Sequence, residues 1–82
     1  MMDLQRITFE ELQDSVIGEY YDFSYLHIKQ FNKMNIEFNC KGKLMVDTIT
    51  TNVISIIINV HKERVCQVTI YKDTDFILDI MY

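Results

Sequence analysis

One stretch decides the fold, VISIIINVHKERVCQVTIY, which runs from Val53 to Tyr71. Its two halves, Val53–Val60 and Val65–Tyr71, are the richest runs of β-branched residues in the chain, and such residues favour strands. Only the charged tetrapeptide His61–Arg64 separates them. Two β-branched runs joined by a short polar turn are typical of a β-hairpin, so we predict one here.

Weaker strand patterns lie on both sides of the hairpin. Ile36, Phe38 and Cys40 alternate with polar residues, which is typical of a half-buried strand, and Gly42 marks the turn that follows. The segment 22–31 fits a helical period as well as an alternating one; we favour a strand because the candidate turn Asn32-Lys33 comes after it. The predicted strands cover about residues 23–31, 34–40, 43–50, 53–61, 64–72 and 76–82.

A helix is predicted before these strands. Thr8 and Glu11 have the spacing of a capping box, in which each side chain bonds the backbone of the other residue. Beyond the cap, apolar residues recur at the spacing of an amphipathic helix that packs on a sheet: Phe9, Leu12, Val16 and Tyr20. We therefore expect a helix over about residues 8–21.

These elements fit into a single compact domain of residues 1–82. A chain of 82 residues has room for one core, and an apolar fraction of 49 % with a net charge of −4 excludes a disordered chain. We predict an α+β fold, with one N-terminal amphipathic helix packed on a four- to five-stranded antiparallel β-meander sheet. The helix would cover the sheet face that carries Ile54, Ile56, Ile58 and Val60.

The opposite face of that sheet has no predicted cover. Its apolar residues on the two central strands are Val53, Ile57, Val65 and Tyr71. One helix cannot cover both faces, so this set is either covered by the segment 22–31, shielded by strand twist and neighbouring long side chains, or left as an apolar patch for association. We treat it as a candidate oligomer face, with a homodimer as one expected assembly.

Negative charge is concentrated at the start of the chain. Residues 1–22 hold six acidic side chains against Arg6, a net charge of −5, while residues 23–82 hold six acidic and seven basic side chains, a net charge of +1. On the predicted helix, four residues would form one exposed acidic ridge: Glu10, Asp14, Ile17 and Tyr21. Such a ridge is either a docking surface for a basic protein or an ordinary solvated helix face. The residues predicted to bind a partner are Glu10, Asp14, Ile17, Glu19, Tyr21, Asp22, Phe23 and Tyr25.

The sequence contains no motif for catalysis, metal binding or cofactor binding. The four residues best suited to zinc are widely spaced in the chain: His27, Cys40, His61 and Cys66. The two glycines are isolated, so a glycine-rich phosphate loop is absent as well. We expect no enzyme activity, no cofactor and no metal.

A nucleic-acid partner is disfavoured by charge. Four lysines lie near two predicted turns, with aromatic residues beside them: Lys29, Lys33, Lys41 and Lys43. The pI of about 4.9 and the lack of a dense Arg/Lys stripe oppose phosphate binding. Weak nucleic-acid binding is kept as an alternative.

A cytoplasmic location is expected. Apolar runs such as Ile56–Ile58 are far shorter than the roughly 20 residues that cross a bilayer, and the start of the chain lacks the pattern of a secretion signal. We therefore expect no membrane partner and two free thiols, Cys40 and Cys66. Residues with A/T-rich codons are abundant, which indicates a low-GC source such as a bacterium, its phage or a mobile element. The expected location is the cytoplasm of that bacterium, or of the host cell if the protein is phage-encoded.

The sequence predicts a small, acidic, non-catalytic protein-binding module. The leading hypothesis is an inhibitor or regulator of a larger basic protein, such as a nuclease or host-defence complex, of the kind that phages and mobile elements encode. The first alternative is a homo-oligomeric structural or accessory subunit, and the second is a weak nucleic-acid-binding protein.

Overall fold

Two antiparallel sheets make up most of the chain. The computed structural model describes residues 3–31, 34–61 and 64–82. Within these residues the elements are β1 (Gln5–Arg6), α1 (Phe9–Gln13), β2 (Tyr20–Phe23), β3 (Tyr25–Gln30), β4 (Met34–Phe38), β5 (Gly42–Ile49), β6 (Val53–Val60), β7 (Arg64–Tyr71) and β8 (Phe76–Met81). The predicted architecture, an α+β fold with a long helix on one meander sheet, is therefore wrong.

In the described part of the chain, each sheet has four strands. Sheet A has the order β1-β8-β3-β4 and sheet B the order β2-β5-β6-β7. The chain changes sheets four times: between β1 and β2, β2 and β3, β4 and β5, and β7 and β8. These crossings replace the predicted meander with a β-sandwich, in which two sheets pack face to face.

The stretch from Val53 to Tyr71 forms an antiparallel pair within sheet B. β6 and β7 pair in continuous register, from Val53 opposite Tyr71 to Val60 opposite Arg64. β5 pairs along the other side of β6. Two predicted turns lie wholly or partly outside the described part of the chain. They are Asn32-Lys33 and the centre of His61–Arg64, which is Lys62-Glu63.

The core lies between the two sheets. β6 contributes Ile54, Ile56 and Ile58, each 0 % exposed. The residues that meet them from sheet A lie on β3 and β8: Leu26, Ile28, Leu78 and Ile80. A second sheet thus covers the face that the sequence assigned to the helix. α1 has only five residues, so most of the apolar cover of this face comes from sheet A.

The capping box predicted for Thr8 and Glu11 is confirmed at the start of α1. The Glu11 N–H donates to the Thr8 hydroxyl oxygen (3.1 Å), and the Thr8 N–H donates to Glu11 Oε1 (3.2 Å). Of the predicted apolar stripe, only the part on this short helix is buried, namely Phe9 and Leu12. No helix in the described part of the chain has the length and apolar character to cross a membrane.

α1 ends at Gln13, so the predicted helix over about residues 8–21 is wrong. Gly18 has a φ of +88°, in the left-handed region that glycine tolerates and a right-handed helix excludes. Its N–H donates to the Val46 carbonyl oxygen of β5 (2.9 Å), and β2 then pairs with β5. These backbone hydrogen bonds favour a loop and a strand over the helix that the apolar spacing predicted. The β-branched and aromatic residues around Gly18 have low helix propensity, so little opposes them.

The rest of the predicted helical stripe is consequently at the surface. Val16 is 61 % exposed in the loop after α1, and Tyr20 is 46 % exposed on β2. Both were expected to face the core on a longer helix. Because successive residues of a strand point to opposite faces, Tyr20 points away from the core when its neighbour Tyr21 points towards it.

Candidate functional site

The first four of the residues predicted to bind a partner do not share a face. Glu10 lies on α1, and Asp14 is the C-cap residue that follows it. Ile17 and Glu19 are exposed in the loop that leads to β2. Because α1 ends at Gln13, the acidic helical ridge predicted from the sequence does not form.

The other four lie on β2 and β3 and point in different directions. Phe23 is a core residue, 3 % exposed, and Tyr21 also points inward, beside the buried Leu44. Asp22 points outward, where its Oδ1 lies 3.8 Å from Nζ of Lys43. Tyr25 lies on the outer face of sheet A. The predicted site is therefore divided among the core, the outer faces of both sheets and the loop after α1.

The residues of the candidate oligomer face, by contrast, are brought together. All four lie on the outer face of sheet B: Val53, Ile57, Val65 and Tyr71. Val53 is directly opposite Tyr71 across β6 and β7. Val65 is 69 % exposed and Tyr71 is 49 % exposed. The alternation of the two strands positions them, since residues 53, 57, 65 and 71 have the opposite orientation to the buried isoleucines of β6.

β2 and β5 extend this surface. Tyr20 is opposite Met45, and Met45 is opposite Ile57, so three large apolar side chains form a row across three strands. We call the outer surface of sheet B that carries six apolar outward residues the apolar face: Tyr20, Met45, Val53, Ile57, Val65 and Tyr71. Sequence reasoning missed Tyr20 and Met45, although the alternation of β2 after Gly18 is a signal that could have found Tyr20.

Polar side chains are interspersed among these apolar residues, and one of them, Asn59 opposite Val65, has a buried Oδ1 without a hydrogen-bond partner in the described residues. Nε2 of Gln67 donates to the Ser55 hydroxyl oxygen (3.0 Å). The exposed charges at its border, Asp22 and Lys43, lie directly opposite each other across β2 and β5. The face is thus apolar and close to neutral, and it offers association through burial rather than through charge.

The outer face of sheet A has the opposite character. One row across its strands consists of Arg6, Asp79, His27 and Glu37. The Arg6 guanidinium binds both oxygens of the Asp79 carboxylate (2.9 and 3.1 Å). The row is charged and paired, as expected of a face that is in contact with water.

Neighbouring residues complete the polar network on sheet A. The Tyr25 hydroxyl donates to Oε2 of Glu37 (2.8 Å), and Nε2 of His27 lies 2.6 Å from Oδ1 of Asn35. The hydrogen bond from Arg6 lowers the pKa of the Asp79 carboxyl, although burial acts in the opposite direction. The hydrogen bond to Glu37 raises the pKa of the Tyr25 hydroxyl, because the carboxylate favours the protonated phenol.

Two concave regions lie beside these faces. A cavity of about 700 Å³ at one end of the sandwich borders the apolar face at Asp22 and Lys43 and is also lined by Lys41 and His61. In that lining Asn59 carries a buried Oδ1 without a hydrogen-bond partner in the described residues. A smaller hollow of about 280 Å³ lies between the sheets beside α1.

The residues suited to other chemistry stay apart. Among the described residues, no three His, Cys, Asp or Glu side chains lie close enough together to hold a metal ion. Cys40 and Cys66 are free and half-buried. Lys29 lies on β3 in sheet A, whereas Lys41 and Lys43 line the end cavity, and Lys33 lies outside the described residues.

The fold and these surfaces define a small antiparallel β-sandwich with one polar and one apolar outer face. No protein-family model, curated protein or solved structure matches the chain.

Proposed function

We propose that the protein is a non-catalytic protein–protein interaction module that assembles with a second copy of itself through the apolar face. The observation that carries the proposal is the contrast between the outer faces of the two sheets. The outer face of sheet A carries a row of paired polar groups beside the half-buried Ile77, whereas that of sheet B presents Tyr20, Val65 and Tyr71 to solvent. In a small sandwich, exposed apolar side chains grouped on one outer face are typical of an interaction surface.

A second copy is the occupant that the charges favour. Asp22 and Lys43 neutralise each other at the border of the face, so nothing in it requires an oppositely charged partner. The dense acidic group of the chain lies elsewhere, with Glu10, Glu11 and Asp14 on or beside α1. A neutral apolar face is complementary to itself, and a two-fold axis lets the same residues serve both copies.

The dimensions of the face indicate a modest affinity. Four strands at a spacing of about 4.8 Å span roughly 14 Å, and the eight residues of β6 extend about 26 Å. A footprint of this size buries less than about 800 Å² over both copies, below the roughly 1,200 Å² at which stable specific interfaces begin and in the range of weak contacts. We therefore expect reversible association that depends on protein concentration.

Sedimentation equilibrium over a range of concentrations tests the proposal. The wild-type chain is expected to move from monomer to dimer as concentration rises, and Ile57→Asp to remain monomeric because a carboxylate would have to be buried at the contact. Ile77→Asp is the matched control, since Ile77 is a half-buried isoleucine on β8 that is opposite Lys29, on the outer face of sheet A. Ile77→Asp should dimerise like the wild type. A wild-type chain that is monomeric up to millimolar concentration contradicts the proposal.

A role as inhibitor or regulator of a basic protein is the second candidate. It is favoured by the carboxylates that lie beside the smaller hollow. A nuclease or host-defence target, a phage origin and weak nucleic-acid binding stay predictions from charge and composition.

A further inference from the structure

A second surface lies on the side of the sandwich where β1 and β2 form the edges. A hollow of about 280 Å³ opens there between the sheets. β1 has only two residues and β2 only four, so these edge strands leave this side partly open. α1, with five residues, covers only part of the gap. We call this region the acidic hollow.

The lining of the acidic hollow combines an apolar floor with a polar rim. Its floor is formed by buried residues of α1 and of both sheets: Leu12, Leu44, Val46, Leu78 and Ile80. Two carboxylates, those of Glu11 and Asp14, and two tyrosines, Tyr21 and Tyr82, line it towards the solvent. An apolar wall accommodates the aliphatic stem of a side chain that lies along it, and carboxylates at the rim accommodate its cationic end group.

Neither carboxylate has a basic partner among the described residues. The ion pairs found there involve other acids, Asp79 and Asp22. Oε1 of Glu11 accepts hydrogen bonds from Thr8, which leaves its second oxygen available. Asp14 is exposed beside it. The hollow therefore has negative charge that a bound cation would partly neutralise.

We propose that the acidic hollow binds a lysine or arginine side chain from an extended segment of another protein. The aliphatic stem of that side chain lies against Ile7 and the Tyr21 ring, and its charged end lies between Glu11 and Asp14. This would be a second interaction surface, and it does not depend on self-association. Tyr20 and Tyr21 point to opposite sides of β2, so the hollow and the apolar face share no side chain.

The size of the hollow and its neighbouring strand favour a protein segment over a free small amine. The volume of about 280 Å³ lies just below the range of about 300–1,000 Å³ that small-molecule sites occupy, and it suits one side chain. β2 borders the hollow and pairs only with β5 among the described strands, so its other edge can accept an extended peptide. A peptide is the occupant that uses both features.

An NMR titration of the full, ¹⁵N-labelled chain tests this site. The probe is a short peptide with a central lysine between valine and threonine residues, and its matched control has norleucine in place of lysine. We expect the lysine peptide to shift the amide signals of Asp14, Tyr21 and Leu44 and to bind at least about tenfold more tightly than the norleucine peptide. Equal affinity for the two peptides, or no binding of the lysine peptide, would overturn the proposal.

Variants separate the local carboxylates from the overall charge. The double variant Glu11→Gln/Asp14→Asn should weaken lysine-peptide binding about tenfold, while glutamine preserves the capping box. Asp73→Asn/Asp75→Asn makes the same change of charge in the exposed segment before β8 and should bind as the wild type does. Equal weakening in both double variants overturns the site, because it would show a general charge effect.

Two further arms address the occupant and the proposed dimer. If n-pentylammonium ion binds as tightly as the peptide, the occupant is a small amine and the proposal of a protein segment is wrong. Ile57→Asp should bind the lysine peptide normally, and Glu11→Gln/Asp14→Asn should still dimerise. Each surface can therefore fail without the other.

Discussion

The side-chain amide of Gln30 pairs with the backbone of Tyr71 as a neighbouring strand would. Oε1 of Gln30 accepts from the Tyr71 N–H (2.8 Å) and from the Thr74 hydroxyl (3.1 Å), and its Nε2 donates to the Thr69 carbonyl oxygen (3.1 Å). Gln30 ends β3 in sheet A, whereas Tyr71 ends β7 in sheet B. One side chain, 5 % exposed, thus links the two sheets and occupies part of the free edge of β7.

Replacing Gln30 by alanine should destabilise the sandwich. The substitution leaves the Tyr71 N–H and the Thr69 carbonyl without partners, and we expect a loss of about 1–3 kcal/mol in the free energy of unfolding. Urea denaturation at low protein concentration measures it. Gln5→Ala is the control, because Gln5 is exposed on β1 and makes no side-chain hydrogen bond among the described residues, and it should change stability by less than about 0.5 kcal/mol. Equal losses for the two variants contradict the structural role of Gln30.

Gly42→Ala should be destabilising because of a close approach between β5 and its neighbours. A Cβ atom at Gly42 would overlap the Phe23 ring and lie 2.8 Å from the Asn59 carbonyl oxygen. We expect a loss of about 1–3 kcal/mol by urea denaturation, and partial rescue when Phe23→Leu makes room. Gly18→Ala is also strained, because its φ is +88°, but nothing lies within 4 Å of the added atom. Phe23→Leu should not rescue Gly18→Ala, and rescue of both would contradict the steric cause.

The Arg6–Asp79 pair should make stability depend on pH in the acidic range. The folded-state pKa of Asp79 is lowered, so the pair stabilises the fold above the unfolded-state pKa of about 3.9 and stops doing so as pH falls through the lower folded-state value. Arg6→Met should therefore lower the free energy of unfolding, relative to the wild type, more at about pH 6 than at about pH 2. Urea denaturation at the two pH values measures the difference. In Lys43→Met, which breaks the exposed pair with Asp22, stability should change little at either pH. A loss for Arg6→Met that is the same at both pH values contradicts this role of Asp79.

Three strands of sheet B, β5, β6 and β7, could be predicted from the sequence, but neither β2 nor the sheet that covers them could. Alternation in β6 separates Ile54, Ile56 and Ile58 from Val53 and Ile57, and that division holds in the structure. This alternation predicts that an apolar element covers the isoleucines, but it is compatible with either a helix or a sheet as that element. The cover is sheet A, whose strands come from distant parts of the chain.

The length of α1 could not be judged from apolar spacing alone. Phe9 and Leu12 fit a helix and are buried in one, but Val16 and Tyr20 continue the spacing by coincidence. The positive φ of Gly18 and the pairing of β2 with β5 depend on tertiary contacts. The partner residues predicted on the longer helix were dispersed for the same reason.

The two candidate surfaces differ in how far the sequence indicated them. The apolar face could be predicted in part, because the period of two places Val53, Ile57, Val65 and Tyr71 on one side of a hairpin. The acidic hollow could not, since it arises where the incomplete edges of two sheets lie beside α1. No local pattern records that arrangement.

Contacts between two copies test self-association through the apolar face most directly. An isotope-filtered NOE measurement on a mixture of labelled and unlabelled chains detects such contacts. We predict intermolecular NOEs among the methyl and ring protons of Met45, Ile57, Val65 and Tyr71 at concentrations where the dimer is populated. NOEs from Ile77 and Tyr25 on the outer face of sheet A, or no intermolecular NOEs at any concentration, would contradict self-association through the apolar face.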